Sequence, residues 1–222
     1  MIFLMRSIST ISTPVPKIIN VSLNFIRFCV KLYIRRYEFF RGIIMVIYKA
    51  IHMAIKAHEN QVRKLDNDMY VAHPLEVGIT LARHNMPEEV IVAGILHDTV
   101  EDTTLSLEDI EAEFGHLVRT YVDYCSEKNK CDSWKNRKIE YLNRLIDAPI
   151  DVMYIVCADK LTNIKSIARH YERLGHIIWD KFNAGFIDQK WYYLAILDIL
   201  HPIHAHPLYI ELEQTVKLVF KD

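Results

Sequence analysis

Apolar residues in this chain recur with helical spacing. From Met45 to His58 they fall at Val46, Ile47, Ala50, Ile51, Ala54, Ile55 and Ala57, three and four apart, as one buried helix face requires. A charged stretch, ENQVRKLDNDMY, interrupts the pattern before HPLEVGITLARHN. That second run opens with Pro74 in a first-turn position, where a missing N–H costs a helix nothing. Met86-Pro87-Glu88-Glu89 opens a third helix that the pattern carries through VIVAGILHDTVED. Another is predicted from Thr104 to Phe114, with Ser106 as N-cap and Asp109 as the acid of a capping box. Gly115 ends it, and a further helix starts near His116. Helices are also expected over 134–147, 149–170 and near 178–200, and only a short helical piece in the tail from His201. No segment alternates with a period of two. The prediction is an all-α bundle with short connections and no substantial sheet.

Composition adds limits. Apolar residues make up 51% and charged residues 25%, and only 6 Gly and 7 Pro occur in 222 residues, which excludes collagen-like and disordered chains. A net charge of −1 gives no global attraction to nucleic acid. Cys29, Cys125, Cys131 and Cys157 form no CxxC pair, so they are read as reduced thiols of a cytoplasmic protein. Charge is uneven along the chain. Within 1–44, Arg6, Lys17, Arg27, Lys31, Arg35, Arg36 and Arg41 face a single acid, Glu38. Arg27 and Lys31 break the apolar run there, which is too short without them to span a membrane, and no signal-peptide cleavage pattern is present. Two readings of this extension stay open: a basic amphipathic helix on a membrane surface or against the body, or an upstream start with Met45 the functional one. The organisation expected is thus an extension over 1–44, a catalytic domain over 45–200 and a tail over 201–222.

Chemistry-bearing residues concentrate in four places. In ILHDTVEDT, a continuous helix would bring His97, Asp98, Glu101 and Asp102 to about one face behind an apolar run. Buried carboxylates crowded in this way need a partner or a metal. His73, before Pro74, is by itself either a structural histidine or a ligand. Asp159 comes after the apolar run MYIVCA, with Asn163 one turn on and Ser166 two turns on; an internal Asp–Asn hydrogen bond and a functional site fit equally well. Arg63 and Lys64 alone read as surface charge.

Together, AHENQVRK…YVAHPLEVG…ILHDTVEDT…FG…ADKLTNIKSI resembles the HD-domain metallophosphohydrolases, and among them the hydrolase domain of RelA/SpoT proteins and the small alarmone hydrolases. The resemblance covers about 45–200 and implies a helical fold around a single divalent metal, usually manganese. It places the metal ligands at His73, His97, Asp98 and Asp159. This mixed nitrogen and oxygen set suits manganese or iron better than a closed structural zinc site. Glu101 and Asp102 match the family's catalytic acids, Arg63 and Lys64 its phosphate-side cations, and Asn163 and Ser166 polar residues of its nucleotide pocket.

The reaction implied is hydrolysis of the 3′-pyrophosphate of guanosine tetra- or pentaphosphate, releasing pyrophosphate and GDP or GTP. Leu65 departs from the small polar residue usual after the Arg-Lys pair, which leaves guanine specificity open. The alternatives are a phosphohydrolase acting on another nucleotide and a non-catalytic nucleotide-binding module. The partner expected is a small nucleotide and not a nucleic acid, with membrane contact only through 1–44. The aromatic stretch Trp179–Tyr193 either closes the pocket or packs the core. His201, His204 and His206 lack an acid at ligand spacing, and Pro202 and Pro207 interrupt any helix there. The basic KNKCDSWKNRK segment reads as a solvated helix end.

Overall fold

The computed structural model describes residues 28, 30, 31, 34, 42, 44–63 and 68–221. The chain divides into two compact units, Met1–Ile44 and Met45–Asp222. The expectations for 1–44 therefore fall almost wholly outside the described residues, as do Cys29, Lys64 and Leu65.

Among the described residues of the second unit the regular elements are helices. Residues 45–57 form α1, followed by α2 (Ala72–Arg83), α3 (Glu88–Leu96), the single turn α4 (Thr99–Asp102), α5 (Leu107–Cys125), α6 (Trp134–Ile146), α7 (Ile150–Leu174), α8 (Phe186–Ile199) and α9 (Pro207–Val219). Short 3-10 turns lie at Gly175–Lys181 and His201–Ile203. Among the described residues the only β pairing is an isolated bridge, Val62 with Met69. None of their helices is long and apolar enough to cross a membrane.

The 25-residue α7 carries the core. It packs against α2, α3, α5 and α9, burying Val152, Ile155, Val156, Leu161 and Ile164. The α5 start obeys its sequence signal: Ser106 accepts from the Asp109 amide at 3.1 Å, and the Asp109 carboxylate accepts from the Ser106 amide at 2.9 Å. Gly115, at φ 85°, breaks α5 where the helix was expected to end and restart; that left-handed backbone is open to glycine at little cost.

Three local expectations needed correction. The helix predicted through HDTVED stops at Leu96. There His97 Nδ1 donates to the Gly94 carbonyl (2.8 Å) and Thr99 Oγ1 donates to the Leu96 carbonyl (2.7 Å). These side chains occupy carbonyls that the next helical turn would have used. The helix predicted near 178–200 begins only at Phe186, after a 3-10 turn. The segment from His201, expected to hold only a short helical piece, contains the 13-residue α9, with Leu208, Leu212 and Val216 buried. Pro207 starts this helix instead of breaking it, and His206 Nδ1 accepts from the Leu208 amide at 3.2 Å.

Two glycines set the spacing that matters for the site. A Cβ on Gly78 of α2 would lie 2.4 Å from Ile95 Cγ1, and one on Gly94 of α3 would lie 2.3 Å from Leu81 Cδ1. The two helices thus meet at close range, and the His73 and His97 rings at their ends come within 5.2 Å of each other. Ile95 is 3% exposed and cannot swing aside. Gly78→Ala should therefore destabilise, because overpacking costs about 1–3 kcal/mol against about 1 kcal/mol gained in helix propensity. A melting midpoint lowered by a few degrees is expected by calorimetry; an unchanged or raised midpoint would show that the α2–α3 contact is not tight.

Candidate active site

Four elements meet at one point. His73 opens α2, His97 and Asp98 form the turn between α3 and α4, and Asp159 lies on the third turn of α7. His73, His97 and Asp159 are 3%, 3% and 7% exposed. One ligand atom from each lies within 4.8 Å of the others. Asp159 Oδ1 is 3.1 Å from His73 Nε2 and 3.7 Å from His97 Nε2. Asp98 Oδ2 is 3.2 Å from His97 Nε2 and 3.8 Å from His73 Nε2. The four residues expected as ligands are therefore brought together.

The protons can be assigned from the partners. The Gly94 carbonyl only accepts, so His97 Nδ1 carries its proton and Nε2 is left bare. Thr162 Oγ1 donates its one proton to the Asp159 carbonyl at 2.9 Å and so accepts from His73 Nδ1 at 3.2 Å. Both Nε2 lone pairs then face carboxylate oxygens, and His97 Nε2 is buried with no hydrogen-bond partner. Four acceptors pointing at one another demand positive charge between them. The titration directions agree: burial opposes charge on His97, but Asp98 and Asp159 outweigh it and raise its pKa well above the ordinary value. Burial likewise opposes ionisation of Asp98, and His97 and His73 outweigh it, holding that carboxyl below the usual range. Two imidazoles and two carboxylates, each imidazole fixed through its other nitrogen, fit a divalent cation.

Asp159 is held from both sides. Its Oδ1 accepts from Asn163 Nδ2 and its Oδ2 from Lys160 Nζ, each at 2.6 Å. The Asp–Asn pair read from the sequence thus exists within the site. Tyr70, on the turn before α2, donates to Asp98 Oδ2 at 2.6 Å and lies 3.3 Å from Asp102 Oδ2.

Glu101 and Asp102 stay beside Asp98 despite the break at His97, and each takes a different partner. Glu101 Oε2 accepts from the Glu127 amide at 2.8 Å. Burial raises its pKa; the Glu127 amide opposes the shift, and Asp98 adds to it. Asp102 Oδ1 instead pairs with Lys130 Nζ at 2.8 Å. Both acids border an inner cavity of about 190 Å³ that also touches His73, Asp98 and Asp159. A wider outer cavity, about 460 Å³, adjoins it. Arg63, Lys138, Lys160 and Asn163 border both.

Among the expected substrate contacts, Arg63 and Asn163 reach the cavities and approach each other at 3.5 Å. Lys64 lies outside the described residues. Ser166 is fully buried and borders neither cavity; its neighbour Ile167 lines the outer one, together with Lys160 and Asn163 of the same helix. Sequence reading missed Tyr70, Lys138, Lys160 and Trp134. The cations of KNKCDSWKNRK were the available signal: Lys130 reaches Asp102 and Lys138 reaches the cavities. The Trp179–Tyr193 stretch divides between its two readings. Trp179 stacks on Phe220 with centroids 5.5 Å apart, whereas Phe182, Tyr192 and Tyr193 wall the outer cavity. Cys125, Cys131 and Cys157 are free thiols.

The chain is similar to known proteins. The HD domain model matches residues 50–184. The chain is 34% identical over 124 residues to the guanosine-3′,5′-bis(diphosphate) 3′-pyrophosphohydrolase of Aquifex aeolicus, covering 54% of this chain and 18% of that one. It is 35% identical over 124 residues to a GTP pyrophosphokinase of Streptomyces coelicolor, covering 54% of this chain and 14% of that one. The chain thus spans less than a fifth of the length of these curated relatives. The crystal structure of lmo0812 from Listeria monocytogenes EGD-e aligns with a TM-score of 0.61 at 35% identity, over 68% of this chain and 94% of that one. A metazoan ortholog of SpoT that hydrolyzes ppGpp aligns with a TM-score of 0.65 at 23% identity, over 78% of this chain and 94% of that one, and so shares the fold. The family match spans the buried His–Asp cluster and more than half the chain: this protein belongs to the HD domain family.

Proposed function

We propose that the protein hydrolyses the 3′-pyrophosphate of guanosine tetra- or pentaphosphate with a divalent metal, manganese, releasing pyrophosphate and GDP or GTP. One observation carries the reading: the two bare Nε2 atoms and two carboxylates converge at the floor of a cavity bordered by both acids and several cations. Similarity to a relative named for this reaction supports the substrate class. The free thiols support placing the reaction in the cytoplasm. The catalytic unit we assign runs over about 45–200, with 1–44 outside it.

His73, His97, Asp98 and Asp159 would hold the ion, which when bound supplies a Lewis acid that acidifies water and draws charge from phosphoryl oxygens. Glu101, its carboxyl raised by burial, takes a proton from the attacking water. Asp102, held by Lys130 and Tyr70, orients that water. Oxygen attacks the phosphorus nearest the ribose, and the bond from that phosphorus to the 3′ oxygen breaks. The 3′ oxygen takes up a proton and becomes a hydroxyl. Arg63 and Lys64, with Lys138 and Lys160, balance charge on the phosphoryl oxygens, and Asn163 holds Asp159 in place. Chromatography of a ppGpp reaction should give GDP and pyrophosphate in equal amounts. Orthophosphate as the main product would refute the proposed bond cleavage.

Tyr70 aims the Asp98 carboxylate. Removing such a supporting hydrogen bond typically weakens metal binding by about 10–100-fold. Tyr70→Phe should therefore raise the manganese dissociation constant in a calorimetric titration by at least about tenfold. An unchanged constant would remove Tyr70 from the site's support.

A further inference from the structure

The outer cavity has walls of mixed character, and polar groups in them lack a partner among the described residues. Gln189 lies in the first turns of α8 and is 9% exposed. Its backbone amide donates to the Gly185 carbonyl at 3.0 Å. Its carboxamide borders the outer cavity and has no hydrogen-bond partner among the described residues. Around it are flat rings: Trp134 and Tyr192 meet edge to face at 6.0 Å, and Tyr193 is next on α8. The Tyr192 hydroxyl, in the same wall, is buried with no hydrogen-bond partner, and a buried polar group left unpaired costs free energy that an apolar one would not. A polar ligand in the outer cavity would give both the hydroxyl and the Gln189 carboxamide a partner.

The neighbouring groups indicate what kind of ligand that is. The inner cavity, with Lys138 and Lys160 at its border, suits phosphate, and the ring-walled outer cavity suits a planar base. A carboxamide offers an acceptor and donors side by side and pairs with a purine edge through two hydrogen bonds. We propose that Gln189 reads the purine base of the nucleotide whose phosphates enter the inner cavity. This rests on the nucleotide-hydrolase reading but is separable from it. Because the amide can turn over, Gln189 accepts guanine and adenine edges alike. A carboxylate at this position only accepts, and so favours guanine, whose N1–H and N2–H are adjacent donors.

The test is calorimetric binding of GDP, ADP and pyrophosphate to manganese-loaded protein. Gln189→Leu should weaken GDP and ADP by about 10–100-fold, the usual loss when a ligand's polar edge is left unpaired, while pyrophosphate binding stays unchanged. Gln189→Glu should retain GDP and lose ADP. The inference is overturned if GDP binds equally to wild type and Gln189→Leu, if pyrophosphate weakens in parallel, or if wild type binds no GDP. ppGpp turnover is measured separately. Gln189-dependent GDP binding without turnover would sink the proposed reaction and leave this inference standing.

Discussion

Asp98→Ala should abolish both metal retention and turnover. Asp98 Oδ2 approaches both imidazole nitrogens, at 3.2 and 3.8 Å, so its loss opens one side of the ligand set. A bound metal stabilises a transition state by several kcal/mol, and about 4 kcal/mol corresponds to roughly a thousandfold in rate. The expected loss is at least that large. Elemental analysis of dialysed protein should find about one ion per wild-type chain and none in the variant, if one site is held by this ligand set. The melting midpoint provides a second readout. A ligand at 100 times its dissociation constant adds about 2.7 kcal/mol to the folded state, so added manganese should raise the wild-type midpoint and leave the variant's unchanged. Activity that survives loss of the metal would contradict the mechanism.

Glu101→Gln separates chemistry from binding. The amide keeps an oxygen for the Glu127 N–H, now met at 2.8 Å, so the fold should hold. It cannot accept the proton of the attacking water. General-base catalysis contributes about 10²–10⁴-fold, and turnover should fall by that factor with manganese affinity nearly unchanged. The pH dependence comes from the direction of the shift. The base must be ionised, and burial raises the Glu101 carboxyl above its ordinary value. Wild-type kcat/KM should therefore fall as pH drops through that raised value, above the usual glutamate range. In Glu101→Gln this acid limb should disappear. A variant that keeps its acid limb would assign the base to another group, with Asp102 next in line.

How much of this was legible in the sequence depends on what each signal rests on. Local signals were legible. Ser106 and Asp109 formed their capping box, Gly115 took its left-handed turn, and the apolar spacing gave the helices. The four-block resemblance picked out His73, His97, Asp98 and Asp159, which the fold brings together. The break at His97 was not legible, because the apolar period continues through it. The interruption comes from side chains capturing the Gly94 and Leu96 carbonyls, a choice that periodicity does not encode. Pro207 carried the opposite meaning from the one read, since a proline breaks a helix only when a helical turn precedes it, and here the extended His206 precedes it and Pro207 opens the helix. Asn163 and Ile167, four apart, share the cavity side of α7, and Ser166, about 100° round the helix from Ile167, turns into the core. Tyr70 and Lys160 gave no separate signal, and Lys138 only the basic run it ends. A lysine beside a buried aspartate looks in sequence like any surface lysine, and only the packing of α6, α7 and α8 turns these cations toward one cavity.

The measurement that bears most directly on the central claim is pyrophosphate release from ppGpp by protein stripped of metal and then given manganese. Glu101→Ala is carried as the control. The expected result is no release by the stripped protein, release once manganese is restored to wild type, and none from the variant under the same conditions. Release that is indifferent to manganese, or equal in the variant, would contradict the account.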